Sequence, residues 1–216
     1  MIASQYIFNP MLIDDYKFDL RVYVAITSIN PLRVYMYEEG LTRFATVKYN
    51  QSSKKQSRYV HLTNYSLNKF NANFINNTDA DVDDQGSKWS LTALRRKMAA
   101  IGIDHDKIFK KIEDIIIKTI ISGENVINNA TEMFVPYSSN CFELLGFDVL
   151  IDDVFEPWLL EVNLSPSLNC DSPLDQKIKS NLIADLFNLA GMIHLEERGG
   201  TDQAATTKKI FSAYAN

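Results

Sequence analysis

The segment CFELLGFDVLIDDVFEPWLLEVN, residues 141–163, decides the fold. Two strongly apolar runs, each of strand length, enclose a polar segment, and this pattern predicts a β-hairpin. If Asp152 pairs with Pro157 across the turn, counting back along both strands sets Asp148 opposite Glu161.

Three polar residues, Asp148, Glu161 and Asn163, interrupt these apolar strands. An ionised carboxylate is costly to bury unless it is paired or bound to a metal. Glu161 and Asn163 are two residues apart and project from the same strand face, so in such a hairpin the three oxygen-bearing side chains would converge. Such ligands suit Mg²⁺, which commonly shares its coordination shell with nucleotide phosphates. The alternative, polar residues of a strand edge that face water, stays open on this pattern alone.

A second pair of strands is predicted upstream. Apolar and polar residues alternate from Phe18 to Thr27, which is typical of a half-buried strand. Asn30–Pro31 predicts a turn, and Arg33–Glu38 predicts the returning strand. We expect Gly40 to end that strand and Leu41–Tyr49 to form a third.

The polar face of the first of these strands carries Lys17, Asp19 and Arg21. Residues of this kind form surface ion pairs that contribute little to stability. They also hold phosphates and carboxylates, because arginine offers a bidentate pair of donors. Spacing alone does not separate the two interpretations.

Three helices are predicted. Ser90 can cap a helix that runs to Ala100, and Asp104 opens a longer one with isoleucines at helical spacing. A last helix is predicted over Pro173–Ala190, ended by Gly191.

The 216 residues carry a net charge of −5, but this charge is unevenly distributed. Residues 40–78 contain six Lys or Arg and no Asp or Glu, whereas residues 101–216 contain 9 basic and 18 acidic residues. The basic segment could attract an anionic partner, although a solvated basic loop has the same composition. Because the chain is acidic overall and has no nucleic-acid-binding motif, nucleic acid is not the expected partner.

Several other classes of site are excluded by the sequence. Two Cys without paired spacing make neither a disulfide framework nor a zinc site, and no apolar run approaches the roughly 18 residues of a membrane helix. No nucleophile motif, Walker A loop or G-x-G-x-x-G loop is present. Asp79, Asp81 and Asp83 have EF-hand spacing, but Asp84 and Ser90 replace the required Gly and Glu.

Six strings in chain order carry a resemblance to a known family. They are YKFDLRVYV (16–24), EGLTRFATVKY (39–49), HLTNYSLNK (61–69), GSKWSL (86–91), CFELLGFDVLID (141–152) and PWLLEVNLSPSLNCDSPLDQKIKSNLIADLFNLAG (157–191). Together they resemble the tubulin tyrosine ligase-like family, most closely its polyglutamylases. The resemblance spans about residues 5–191, nearly the whole chain.

This resemblance implies an α+β, ATP-grasp fold, represented by its C-terminal lobe with an antiparallel sheet flanked by helices. Residues 1–195 would be that C-terminal portion, and residues 196–216 a polar tail. The implied activity is ATP-dependent ligation of glutamate to glutamate side chains on tubulin C-terminal tails, through an acyl-phosphate. Because the family's catalytic core begins well before a position equivalent to Met1, we expect a fragment of a longer enzyme. The alternatives are a non-catalytic microtubule-binding module and a ligase for glycine or tyrosine.

Individual roles follow from the same resemblance. The implied Mg²⁺ ligands are Asp148, Glu161 and Asn163. The implied ATP contacts are Tyr6, Ile7, Lys17, Phe18, Asp19, Thr63 and Asn64. The residues implied to hold the incoming glutamate are Arg43, Tyr65, Ser66, Lys88 and Lys179. Arg21 matches an arginine near the reacting carboxylates, and a catalytic role is carried over to Arg21 and Glu161.

The implied partners are the acidic tubulin tail, free L-glutamate and microtubules, with no nucleic acid and no membrane. No oligomeric state is predicted. The resemblance places the protein in the cytoplasm and cytoskeleton, with the cilium, flagellum or basal body as candidate sites. The acid-free basic segment at residues 40–78 then acquires a purpose, because a tubulin tail is strongly acidic.

Overall fold

A computed structural model describes residues 4–50, 58–135 and 141–192; the predicted tail at 196–216 lies outside them. The elements in chain order are β1 (Leu12–Ile13), β2 (Tyr16–Ile29), β3 (Leu32–Phe44), α1 (Arg58–His61), α2 (Tyr65–Asn68), β4 (Lys88–Ser90), α3 (Leu91–Ala100), α4 (His105–Phe134), β5 (Glu143–Ile151), β6 (Pro157–Leu164) and α5 (Pro173–Leu189). The predicted mixture of helices with an antiparallel sheet is confirmed.

The sheet has the strand order β4-β3-β2-β5-β6, and the short β1 also pairs with β2. Each recorded pair of neighbouring strands is antiparallel. The long β2 therefore lies between β3 and β5 and joins the two predicted hairpins, β2–β3 and β5–β6, into one sheet.

Strand alternation divides the core between the two faces of the sheet. Phe18, Leu20 and Val22 face a large apolar core that α3 and α4 cover. Tyr23 and Ala25 face a smaller core that α5 covers. Helix α5 covers only part of this sheet face. The charged residues of β2 lie on the same face, next to the part that α5 covers.

The predicted helix starts are confirmed by their caps. The side chain of Ser90 accepts a hydrogen bond from the N–H of Ala93 at the start of α3, and Asp104 accepts one from Lys107 at the start of α4. The last predicted helix is present as α5. Within the described ranges, no helix is both long and apolar enough to cross a membrane.

The expected strand break at Gly40 is wrong, and so is a separate third strand over 41–49. β3 continues through Gly40, which pairs with Val22, and ends at Phe44. A Cβ on Gly40 would lie 2.4 Å from the carbonyl oxygen of Arg21. The glycine therefore permits close packing of two backbones instead of ending the strand.

The predicted hairpin of β5 and β6 is confirmed, and Asp148 pairs with Glu161. The pairing next to the turn differs, because Ile151, not Asp152, lies opposite Pro157. An irregularity at Leu160 adds one residue to β6 and restores the predicted partner for Asp148.

Candidate active site

Charged and amide side chains from five strands share the sheet face that α5 partly covers. We call this set the charged strip: Lys17, Asp19, Arg21, Arg43, Lys88, Asp148, Glu161 and Asn163. Cross-strand register explains it, because one row joins Arg21, Asp148 and Glu161. A second row joins Asp19, Arg43 and Lys88.

The centre of the charged strip is a four-residue ion-pair network. Arg21 donates to Asp148 through Nε at 2.6 Å and through Nη2 at 3.2 Å. Arg43 donates to Asp19 through Nε at 2.8 Å and Nη2 at 2.5 Å, and its Nη2 also lies 2.8 Å from Asp148 Oδ2. Asp148 is therefore held by two guanidinium groups. Arg43 makes these contacts through Nε and Nη2.

Burial and ion pairing oppose each other in this network. Burial alone would raise the pKa of Asp148, but Arg21 and Arg43 hold it below its usual value. Burial alone would lower the pKa of Arg43, but Asp19 and Asp148 raise it further above its usual value. Asp148 and Arg43 are therefore both charged at neutral pH, and their opposite charges hold each other in place.

The residues implied to hold magnesium supply two carboxylates and one amide beside this network. Asp148 and Glu161 are paired across β5 and β6, and Nδ2 of Asn163 donates to Glu161 Oε1 at 3.2 Å. Each carboxylate oxygen has two lone pairs, so Asp148 can accept from both arginines and still ligate. No group of three His, Cys, Asp or Glu side chains able to hold a metal occurs in the described residues, so a cation here would need Asn163 as well as the two carboxylates.

Lys17 lies at the start of β2, among residues predicted to contact a nucleotide. Its Nζ donates to the Tyr6 hydroxyl at 3.2 Å and to the His61 carbonyl at 2.9 Å, and the Tyr6 hydroxyl lies 2.8 Å from His61 Nδ1. Burial lowers the pKa of Lys17, and the neighbouring Asp19 opposes this. A phosphate at this position would compensate the desolvated ammonium.

The other residues implied to contact the nucleotide differ in how buried their side chains are. The Phe18 side chain packs in the core with Phe44, on the face opposite Lys17, so only its backbone is available to a ligand there. Thr63 is buried, Ile7 is partly buried and Asn64 is exposed. The side chains of Ile7 and Asn64 therefore remain accessible near Tyr6 and His61, the two hydrogen-bond partners of Lys17.

Asn68, which the sequence did not single out, organises the segment around Thr63. Its Oδ1 accepts from the N–H and hydroxyl of Thr46, and its Nδ2 donates to the carbonyls of Leu62 and Asn64. This buried amide ties the end of β3 to the start of α2.

Two lysines predicted to hold an amino acid meet at one buried carboxylate. Lys88 Nζ donates to Asp175 Oδ2 at 2.6 Å, and Lys179 Nζ lies 3.4 Å from Asp175 Oδ1. Lys88 Nζ also lies 3.9 Å from the centre of the Tyr65 ring. Ser66 follows Tyr65 on α2 and is exposed. The structure thus brings Tyr65, Lys88 and Lys179 together around Asp175.

A model of the tubulin-tyrosine ligase family matches residues 1–198. The chain belongs to the tubulin-tyrosine ligase family. The tubulin polyglutamylase TTLL5 of Homo sapiens is 50% identical over 215 residues, which are 99% of this chain and 16% of the relative. The tubulin monoglutamylase TTLL4 of Mus musculus is 46% identical over 194 residues, 89% of this chain and 16% of the relative. The tubulin polyglutamylase ttll-5 of Caenorhabditis elegans is 47% identical over 192 residues, 88% of this chain and 26% of the relative. The chain therefore matches a minor part of the length of these curated relatives.

In this member of the tubulin-tyrosine ligase family, three residues that sequence reasoning missed shape the site. Asp175 joins the two lysines, and it lies inside the last of the resembling strings. Gly146 leaves space for Arg21, since a Cβ there would lie 3.2 Å from Arg21 Cδ. Tyr23 is fully buried beside the strip, and burial raises the pKa of its hydroxyl to about 12. The alternation of β2 gave a signal for Tyr23, and the S-x-x-D spacing of Ser172 and Asp175 gave one for Asp175, but no pattern marked Gly146.

Proposed function

We propose that this chain carries the magnesium and amino-acid side of an enzyme that ligates glutamate to glutamate side chains on tubulin C-terminal tails, using ATP. The observation that carries the proposal is the charged strip. Residues implied separately to bind Mg²⁺, ATP and glutamate lie on one sheet face, and Arg21, Asp148, Arg43 and Asp19 link them by ion pairs. The names of the curated relatives support the same substrate class.

The proposed fold is the C-terminal lobe of an ATP-grasp domain, formed by residues 1–195, with residues 196–216 as a polar tail. The antiparallel sheet with helices on both faces supports this assignment. The relatives are several times longer than the chain, so we propose that the nucleotide is clamped between this lobe and another part of the enzyme.

The proposed reaction has two steps. The γ-phosphoryl group of ATP is transferred to a carboxylate oxygen on the tubulin tail, which gives an acyl-phosphate and ADP. The amine of free glutamate then attacks the acyl carbon, the amine loses a proton, phosphate leaves, and an isopeptide bond forms. Such chemistry needs fixed positive charge more than a nucleophilic side chain, which agrees with the lack of a nucleophile motif.

Residues of the charged strip have distinct proposed roles in these steps. Asp148, Glu161 and Asn163 would hold Mg²⁺, whose contribution when bound is to neutralise phosphate charge. Lys17 would hold a phosphate oxygen. Arg21, fixed by Asp148, would orient and neutralise the reacting carboxylates with its planar donors.

The remaining ATP contacts are proposed for Tyr6, Ile7, Phe18, Asp19, Thr63 and Asn64. Asp19 would act mainly by orienting Arg43, because both of its oxygens accept from that guanidinium. Free glutamate would be held by Arg43, Tyr65, Ser66, Lys88 and Lys179. Three cationic side chains in this set match a substrate with two carboxylates.

The acid-free segment at residues 40–78 supports an acidic protein partner. Arg58 and Lys69 are exposed on it, and Lys69 Nζ lies 5.6 Å from the centre of the Tyr65 ring. These cations would attract a tubulin tail towards the amino-acid end of the strip. We therefore propose tubulin, in microtubules of the cytoplasm or cilium, as the partner.

The proposal is tested with the complete protein that carries this chain, ATP, Mg²⁺, tubulin and labelled glutamate, glycine or tyrosine in parallel reactions. ATP-dependent label from glutamate on intact tubulin, and none on tubulin whose C-terminal tails have been removed, is the expected result. Label from glycine or tyrosine instead would show a ligase of different specificity. Microtubule co-sedimentation without any label would show a binding module and contradict the proposed reaction.

A further inference from the structure

Asp175 is a fully buried carboxylate in the first turn of α5, and it contacts two lysines from different elements. Lys88 reaches its Oδ2 from β4, and Lys179 approaches its Oδ1 from the next turn of α5. Both lysines are themselves less than a tenth exposed. Buried charges of this kind are strongly destabilising unless they are paired, so Asp175 makes the burial of both ammonium groups tolerable.

The two ammonium groups are held in place by further contacts. Lys88 Nζ lies over the Tyr65 ring, and Lys179 Nζ donates to the carbonyl of Asn169. Two ammonium groups share one carboxylate, so the cluster retains one net positive charge. A second carboxylate, brought by a ligand, would complete the pairing.

Helix capping explains only part of the geometry at Asp175. The Ser172 hydroxyl accepts a hydrogen bond from the N–H of Asp175, which caps α5, and donates to Asp175 Oδ2. Capping does not require Lys88, which comes from β4, or Lys179, which approaches the other oxygen. Oδ1 of Asp175 has no hydrogen bond within the described part of the chain, and the nearest recorded cation to it is Lys179.

We propose that Asp175 is a positioning residue that presents Lys88 and Lys179 together to a carboxylate of the incoming amino acid. This inference rests on the proposed glutamate ligase activity. Asp175 does not touch the substrate, since it is fully buried, and it acts through the two lysines. Its removal would leave the lysines free to move apart or to form other contacts.

The test compares D175N with the unmodified complete protein in steady-state ligation, with glutamate varied at saturating ATP and tubulin. We expect the KM for glutamate to rise at least about tenfold, because the substrate loses the equivalent of roughly one charge-assisted hydrogen bond. The kcat and the KM for ATP should change by less than about twofold, since neither depends on the lysine pair. D104A is the matched control: it removes the cap of α4, which covers the other face of the sheet, and lowers thermal stability, but leaves the KM for glutamate unchanged.

A second variant covers the case in which D175N does not fold. The triple substitution K88Q/D175N/K179Q removes all three charges together, so no buried charge is left without its partner. If Asp175 acts through Lys88 and Lys179, the glutamate KM of the triple variant should match that of K88Q/K179Q within about twofold. A glutamate KM of the triple variant more than about tenfold above that of K88Q/K179Q would overturn the inference.

The outcomes separate this inference from the proposed activity. An unmodified protein that ligates glutamate, with a D175N variant of unchanged glutamate KM, would overturn the role of Asp175 alone. A D175N variant that loses kcat at constant KM would also overturn it. An unmodified protein that ligates no glutamate would overturn the activity and this inference together.

Discussion

Arg21 and Asp148 lie directly opposite each other on neighbouring antiparallel strands, and Nε of Arg21 donates to Oδ1 of Asp148 at 2.6 Å. The two residues are 127 positions apart in the sequence, so the fold alone creates this pair. Asp148 is then shared with Arg43, and its strand partner is Glu161. One contact therefore joins the residue proposed to orient the reacting carboxylates to those proposed to hold magnesium.

The first prediction concerns Gly146, which lies under the side chain of Arg21. In G146A the new Cβ would lie 2.8 Å from Pro166 Cβ and 3.2 Å from Arg21 Cδ, so Arg21 would be displaced from Asp148. We expect ligation to fall at least about tenfold while the protein remains folded, because the orientation of a bidentate arginine is lost. Steady-state kinetics measures the ligation rate, and circular dichroism shows whether the variant is folded.

The matched control for that variant is G123A, on the surface of α4. A Cβ at Gly123 meets only the end of Ile127, at 4.0 Å. We expect unchanged ligation and a free energy of unfolding higher by up to about 1 kcal/mol, because alanine favours helix more than glycine does. Full activity of G146A would contradict the placement of Arg21.

The second prediction is an acid dependence of stability at Asp148. Arginine contacts hold its pKa below the usual carboxyl value in the folded state, against the effect of burial. Its contribution is therefore fully present above the unfolded pKa and is lost as the pH falls from about 5 through the lower folded pKa. Urea unfolding from pH 7 to pH 3 should show a steeper loss for the unmodified protein than for D148N. Parallel profiles would contradict the ionised pair.

The third prediction concerns the hydroxyl of Tyr23, which is fully buried and has no hydrogen-bond partner among the described residues. Because a buried hydroxyl without a partner is unfavourable, Y23F should leave the free energy of unfolding unchanged or raise it by about 1 kcal/mol. Chemical denaturation with a fitted m-value measures it. A loss of more than about 1 kcal/mol would mean that the hydroxyl is hydrogen-bonded in solution.

The sequence predicted the local elements of the fold well where periodicity and capping signals were strong. The structure contains the elements that these signals predicted: the strand β2 from its alternation, the helix α3 from its Ser90 cap, and the β5–β6 hairpin from its apolar runs. Gly40 was misread, because a glycine that ends a strand and one that admits a neighbouring backbone look alike in sequence. Which of the two applies is decided by the packing of β2 against β3.

The candidate site was predicted as a set of residues but not as a network. Register arithmetic placed Asp148 opposite Glu161 even though the pairing near the turn was off by one residue, since the irregularity at Leu160 compensated for it. The sharing of Asp148 by two arginines, and of Asp175 by two lysines, depends on which strands and helices become neighbours. Local pattern carries no information about such contacts.

The central claim is that the charged strip is the magnesium and amino-acid side of a glutamate ligase. Its most direct test is Mg²⁺-dependent transfer of labelled glutamate to tubulin by E161Q and E156Q variants of the complete protein. Glu156 lies in the turn of the same hairpin and pairs with Lys111 at the surface, so E156Q is the matched control. We expect E156Q to retain normal transfer and E161Q to lose at least about tenfold, with partial recovery at higher Mg²⁺. Undiminished transfer by E161Q, at the same Mg²⁺ requirement, would contradict the account.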